Sequence, residues 1–91
     1  MRPTILRVNG ERKEVMPKNG TDFTLEEAQG IVGGLIDIVY LSDTQIMVVN
    51  DEGMVNGMKV NRDASLVYMI TRGCVQPIYG DVLVCDTEMI K

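Results

Sequence analysis

Four apolar residues in unbroken succession, Ile46-Met47-Val48-Val49, set the strongest constraint on the fold. Successive side chains of a strand point to opposite faces of its sheet. A strand without alternation is therefore one buried on both sides, and this run predicts a central strand over Gln45 to Asn50. Upstream, Leu35 to Leu41 alternates around Asp37, with Ile36, Ile38 and Tyr40 on one face. Ser42-Asp43-Thr44 is a turn between the two, so together they predict the core hairpin.

The segment before this hairpin predicts a short helix. Thr24-Leu25-Glu26-Glu27 has the form of a capping box, in which Thr24 caps the Glu27 N–H and Glu27 reaches back to the Thr24 N–H. Glu26 and Glu27 also suit the positive end of the helix dipole. Leu25, Ala28, Ile31 and Val32 recur at helical spacing, and Gly33-Gly34 supplies the stop. A second helix is predicted from Arg62 to about Ile70, capped by Asn61, with Ala64, Leu66, Val67 and Ile70 apolar and Gly73 at its end. At the N-terminus, Thr4 to Asn9 and Glu11 to Val15 flank Asn9-Gly10, a strong two-residue hairpin signal. Asp81 to Cys85 predicts a last strand. The expected fold is α+β: one small domain over residues 1–91, a mostly antiparallel sheet of about five strands and two short helices. Strand order, and whether the N-terminal hairpin of residues 4–15 joins the main sheet, stay open at this level.

Composition narrows the function. The chain has 91 residues, 45% of them hydrophobic, which suits one core. Nine Lys and Arg against thirteen Asp and Glu give a net charge of −4. A nucleic-acid binder normally carries a basic face, so none is expected here. The absence of His excludes Ser-His-Asp and Cys-His catalysis and His-ligated zinc. Neither a signal-peptide core nor an apolar span of membrane length is legible, which points to a cytoplasmic protein. Cys85 reads as a buried small hydrophobe and Cys74 as a loop residue, both reduced.

Few residues suggest a site. Asn50-Asp51-Glu52-Gly53 places two carboxylates and an amide on one turn, a set that can bond a ligand's hydroxyls or a divalent cation. As a plain turn, the same residues bond their own backbone, with Gly53 at positive φ. Asn61 and Arg62 could set an amide and a guanidinium beside that turn, or simply begin a helix. Asp37, alone in an apolar strand, lacks the partner base or nucleophile of a catalytic set. Met47 and Met69 are expected to fill core gaps. Met54 and Met58 lie near the turn and are the candidates for an adaptable partner surface.

Four blocks carry a resemblance. They are Leu25-Glu26-Glu27 leading to Val32-Gly33-Gly34-Leu35-Ile36-Asp37; Met47 to Gly53; Val60 to Ser65; and Ile78 to Cys85. Their order and spacing over residues 24–85 resemble Domain of Unknown Function 3846. The resemblance implies a small protein encoded by phages, prophages or other mobile elements, acting on a host process. It implies no activity.

The expected role is a non-catalytic binding module for a host protein or a small ligand. The site is expected at Asn50, Asp51, Glu52, Asn61 and Arg62, with Met54 and Met58 as the partner surface. No cofactor is expected. Two alternatives stand beside it: a metal-dependent enzyme using Asp37, Asp51 or Glu52, and a ligand-free structural oligomer. Dimerisation adds core that a chain this short lacks.

Overall fold

The run Ile46-Met47-Val48-Val49 becomes a fully enclosed stretch of the molecule. In the computed structural model, which describes residues 2–90, these four side chains are 0–8% exposed. The elements follow in the order β1 (Thr4–Leu6), β2 (Arg12–Glu14), α1 (Leu25–Val32), β3 (Ile36–Tyr40), β4 (Gln45–Asn50), α2 (Arg62–Arg72) and β5 (Val82–Asp86). A short 3-10 turn, Thr87–Met89, closes the chain. The five strands form one sheet in the order β2-β1-β5-β4-β3, and every pairing is antiparallel. The N-terminal hairpin thus joins the main sheet through β5.

Strand pleating sorts the core into two layers. Ile5, Ile46, Val48, Leu83 and Cys85 pack with Phe23, Ala28 and Val32, so α1 covers that face. Leu6, Met47, Val49, Val82 and Val84 pack with Ala64, Leu41 and Ile78 on the face that α2 covers. This is why β4 and β5 tolerate no polar position in their centres: each residue meets one helix layer or the other. Burying one large aliphatic side chain of this kind stabilises by about 1.5–3 kcal/mol.

Local chemistry sets the helix ends. In α1, Thr24 Oγ1 accepts from the Glu27 N–H at 3.2 Å and Glu27 Oε1 accepts from the Thr24 N–H at 3.0 Å. Gly33 then stops the helix in the left-handed conformation at φ 81°. α2 starts at Asn61, whose Oδ1 accepts from the Ala64 N–H at 3.0 Å.

Several inward positions differ from the expected ones. Leu25 is 59% exposed, because Ala28 and Val32, with half-buried Ile31, seat the two-turn α1. Tyr40 does not share the burial of Ile36 and Ile38: it ends an edge strand and is 59% exposed. In α2 the inward stripe is Ala64, Val67 and Tyr68, whereas Leu66, Met69 and Ile70 are exposed. Met47 fills the core; Met69 does not.

Candidate functional site

A trough of about 400 Å³ opens where β3 and β4 meet the loops above them. Its floor comes from the α2 side of the sheet: Asp37 and Val39 of β3 and Val49 of β4. One wall is the turn after β4, with Asn50, Asp51, Gly53 and Met54; the other is the loop from Gln76 to Tyr79. Asp37 sits across the ladder from Val49 and lines the trough at its outer margin, where its Oδ1 accepts from the Ile38 N–H at 2.9 Å. Asp51 has no ion-pair partner among the described residues; its backbone N–H donates to Leu35 O at 2.8 Å. The trough therefore offers two acidic groups on an apolar bed. A slightly larger hollow of about 470 Å³ lies at the opposite sheet edge, against Arg2, Glu14, Met16 and Met89, and includes none of the expected site residues.

The amide side chains of the expected site are engaged within the fold. Asn50 is buried; its Nδ2 donates to Val32 O, the last carbonyl of α1, at 3.1 Å. Its Oδ1 accepts from the Glu52 N–H at 2.8 Å, which shapes the turn. Gly34 lies close beside it: a Cβ there would stand 3.0 Å from the Asn50 Nδ2 and would press on that amide. Asn61 is fully buried and uses both ends of its amide. Oδ1 caps α2, and Nδ2 donates to Leu6 O at 2.8 Å and to Gly80 O at 2.9 Å.

The remaining residues separate. The trough gathers Asn50, Asp51 and Met54, the last 69% exposed. Glu52 is exposed and does not line it. Arg62 lines a different hollow, with Arg7, Asn9 and Asp63. Met58 is half-buried and packs against Gly80 and the α1 stop, Gly33. Gly53 has a role other than the expected one: it is not at positive φ. It is glycine because a Cβ would meet Tyr79 Cβ at 3.0 Å.

The family model for a domain of unknown function, DUF3846, matches residues 1–89. The chain belongs to the DUF3846 family. No curated protein and no solved structure matches it. The DUF3846 match includes the N-terminal hairpin as well as residues 24–85. Within this DUF3846 domain, no three Cys, Asp or Glu side chains among the described residues converge as a metal ion requires. No helix among them is long and apolar enough to cross a membrane. Sequence reasoning missed one wall of the trough, Gln76 to Tyr79. These residues carry loop signals, but it takes long-range contacts to bring them to the β4 turn: the bonds of Ile78 to Asn61 and Ser65, the Val60–Tyr79 bridge, and the close approach of Tyr79 to Gly53. For Asp37 the signal is its parity on β3, which puts it on the same face as Val39.

Proposed function

We propose that this DUF3846 chain is a non-catalytic, cytoplasmic binding module of the phage or mobile-element type, and that the trough takes a basic side chain of a partner protein. One observation carries the reading: Asp37 and Asp51 flank a floor of Val39 and Val49. A Lys or Arg side chain has matching chemistry, an aliphatic stem with a cationic head. Met54, exposed at the rim, adds an apolar contact that adjusts to its occupant. Asn50 serves this site by holding the turn in place, and Glu52 and Arg62 contribute charge outside it.

The test is an NMR titration of the full chain with a Leu-Arg-Leu peptide amide, and with Leu-Glu-Leu as the control. The Arg peptide is expected to shift the amides of Val39, Val49, Asp51 and Tyr79, and the Asp37→Asn/Asp51→Asn double variant to lose the response. Equal response to both peptides, no response, or shifts centred on Arg62 would overturn the reading. A small molecule retained in native mass spectra of the chain, and lost in the double variant, would replace the protein partner with a small ligand.

A further inference from the structure

β3 is one of the two outer strands of the sheet, and its far edge pairs with no strand among the described residues. Two hydrogen bonds establish which backbone groups face that edge. The Asp51 N–H donates to Leu35 O at 2.8 Å, and the Leu41 N–H donates to Gln45 O at 3.0 Å. Both continue the β3–β4 register. Antiparallel ladders alternate, so Asp37 and Val39 aim their N–H and C=O at β4, and Ile36, Ile38 and Tyr40 aim theirs outward. One of these outward donors is already engaged: the Ile38 N–H donates to Oδ1 of Asp37 at 2.9 Å.

The two edges of the sheet differ in chemistry. β2 consists of Arg12, Lys13 and Glu14, all exposed. Arg12 pairs with Asp63 and Glu14 with Arg2. Charge of this kind deters the addition of another strand. β3 reads Ile-Asp-Ile-Val-Tyr, with a single charged residue. Its Tyr40 is 59% exposed, and Leu35 just before it is 57% exposed.

We propose that β3 pairs antiparallel with β3 of a second copy of this chain, about a twofold axis at Ile38, so that two sheets become one. The sequence of the strand is self-complementary in that register. Ile38 faces its own copy, Ile36 faces Tyr40, and Asp37 faces Val39. No carboxylate stands directly opposite another, which would be unfavourable. Tyr40 against Ile36 is a favourable aromatic and β-branched pair. Residues directly opposite share a face, so the α1 side of one sheet continues into the α1 side of the other, and likewise for α2. The two Ile38 residues exchange N–H···O=C bonds across the axis. For this, each Asp37 releases the Ile38 N–H, so Asp37 acts as a latch that weakens pairing. The inference does not rest on the trough reading, although Asp37 belongs to both.

Sedimentation equilibrium of the full chain, from low to high micromolar protein, tests it. The wild type is expected to show a reversible monomer–dimer equilibrium. Asp37→Ala is expected to tighten it about tenfold, by removing the bond that must open in each copy. Tyr40→Lys is expected to weaken it at least about tenfold, by placing a cation at the seam. Tyr40 is exposed in one chain, so the Tyr40→Lys monomer should melt like the wild type. Amide exchange at Ile38 and Tyr40 should slow as concentration rises, while Asp37 and Val39, which already face β4, stay unchanged. A wild type that remains monomeric, or a dimer indifferent to both substitutions, overturns the proposal. So does dimerisation of Asp37→Ala alone, which would make Asp37 a guard against pairing. Capture of a strand from another protein by a chain that never self-pairs would overturn it as well. Loss of the Arg-peptide response, with dimerisation intact, would sink only the trough reading.

Discussion

The side-chain amide of Asn61 donates to the main-chain carbonyl of Leu6 at 2.8 Å, across 55 positions of sequence. A second bond from the same nitrogen reaches Gly80 O at 2.9 Å, so one residue ties the start of α2 to both β1 and the approach to β5. Asn61→Ala removes the helix cap and both of these bonds. Loss of a cap costs about 0.5–2 kcal/mol and loss of buried hydrogen bonds about 1–3 kcal/mol, so we expect a total near 2–4 kcal/mol. Asn61→Asp keeps the cap but sets a carboxylate oxygen against two carbonyls, and should lose at least as much. Urea unfolding followed by circular dichroism checks both.

Two glycines should respond with opposite signs. Gly53→Ala brings a methyl group to 3.0 Å from Tyr79 Cβ and 3.4 Å from Tyr79 O. Overpacking of this kind costs about 1–3 kcal/mol, and it should part the two walls of the trough. Gly30 lies inside α1 with nothing within 4 Å of a built Cβ. Gly30→Ala should therefore stabilise the chain by about 0.8–1 kcal/mol through helix propensity. Thermal melts of the two variants beside the wild type measure the difference.

These residues also mark what was legible in the sequence. α1 runs from Leu25 to Val32 as expected, because its capping box and its glycine stop act within a few residues of the helix itself. β4 follows its apolar run for the same reason. The bonds of Asn61 to Leu6 and Gly80, and of Asn50 to Val32, were not legible, because they join segments that meet only after the sheet has formed. Gly53 illustrates the same limit. Its position in a polar turn suggested positive φ, but the reason for glycine lies in Tyr79, which sequence places far away. In α2, apolar Leu66 and Ile70 suggested an inward face, yet buried Ala64, with Val67 and Tyr68 beside it, marks the side that meets the core.

Acid should weaken the N-terminal end of α1. Glu27 accepts the Thr24 N–H and, through its other oxygen, the Lys18 N–H at 3.0 Å. The bond from Thr24 first, and that from Lys18 second, hold its carboxyl below the ordinary 4.5. The ionised form is thus favoured by folding. Its stabilisation is full above about pH 4.5 and disappears as pH falls through the lower folded value. Glu27→Gln should melt below the wild type at neutral pH, and the gap should close as the pH drops below 4.5. A gap that widens in acid would contradict this.

The two thiols should separate kinetically. Cys74 is exposed, whereas Cys85 is buried in β5. Burial, reinforced by the neighbouring Asp86 charge, pushes the Cys85 thiol up to about 11. The thiolate is the reactive form, so the native chain should take up one equivalent of iodoacetamide quickly, at Cys74. The second should react only at the rate of unfolding, which peptide mass mapping over time resolves.

β5 lies between β1 and β4 in the sheet. On a ribosome, this strand emerges after every other strand of the sheet. Until it does, the nascent chain holds two separate hairpins, β1-β2 and β3-β4, with no edge in common. Isolated two-stranded hairpins are marginal in water. During synthesis the five-stranded sheet can close only when this last-made strand enters the gap between the two earlier hairpins, and a chain cut before Val82 keeps at most those two marginal pairs.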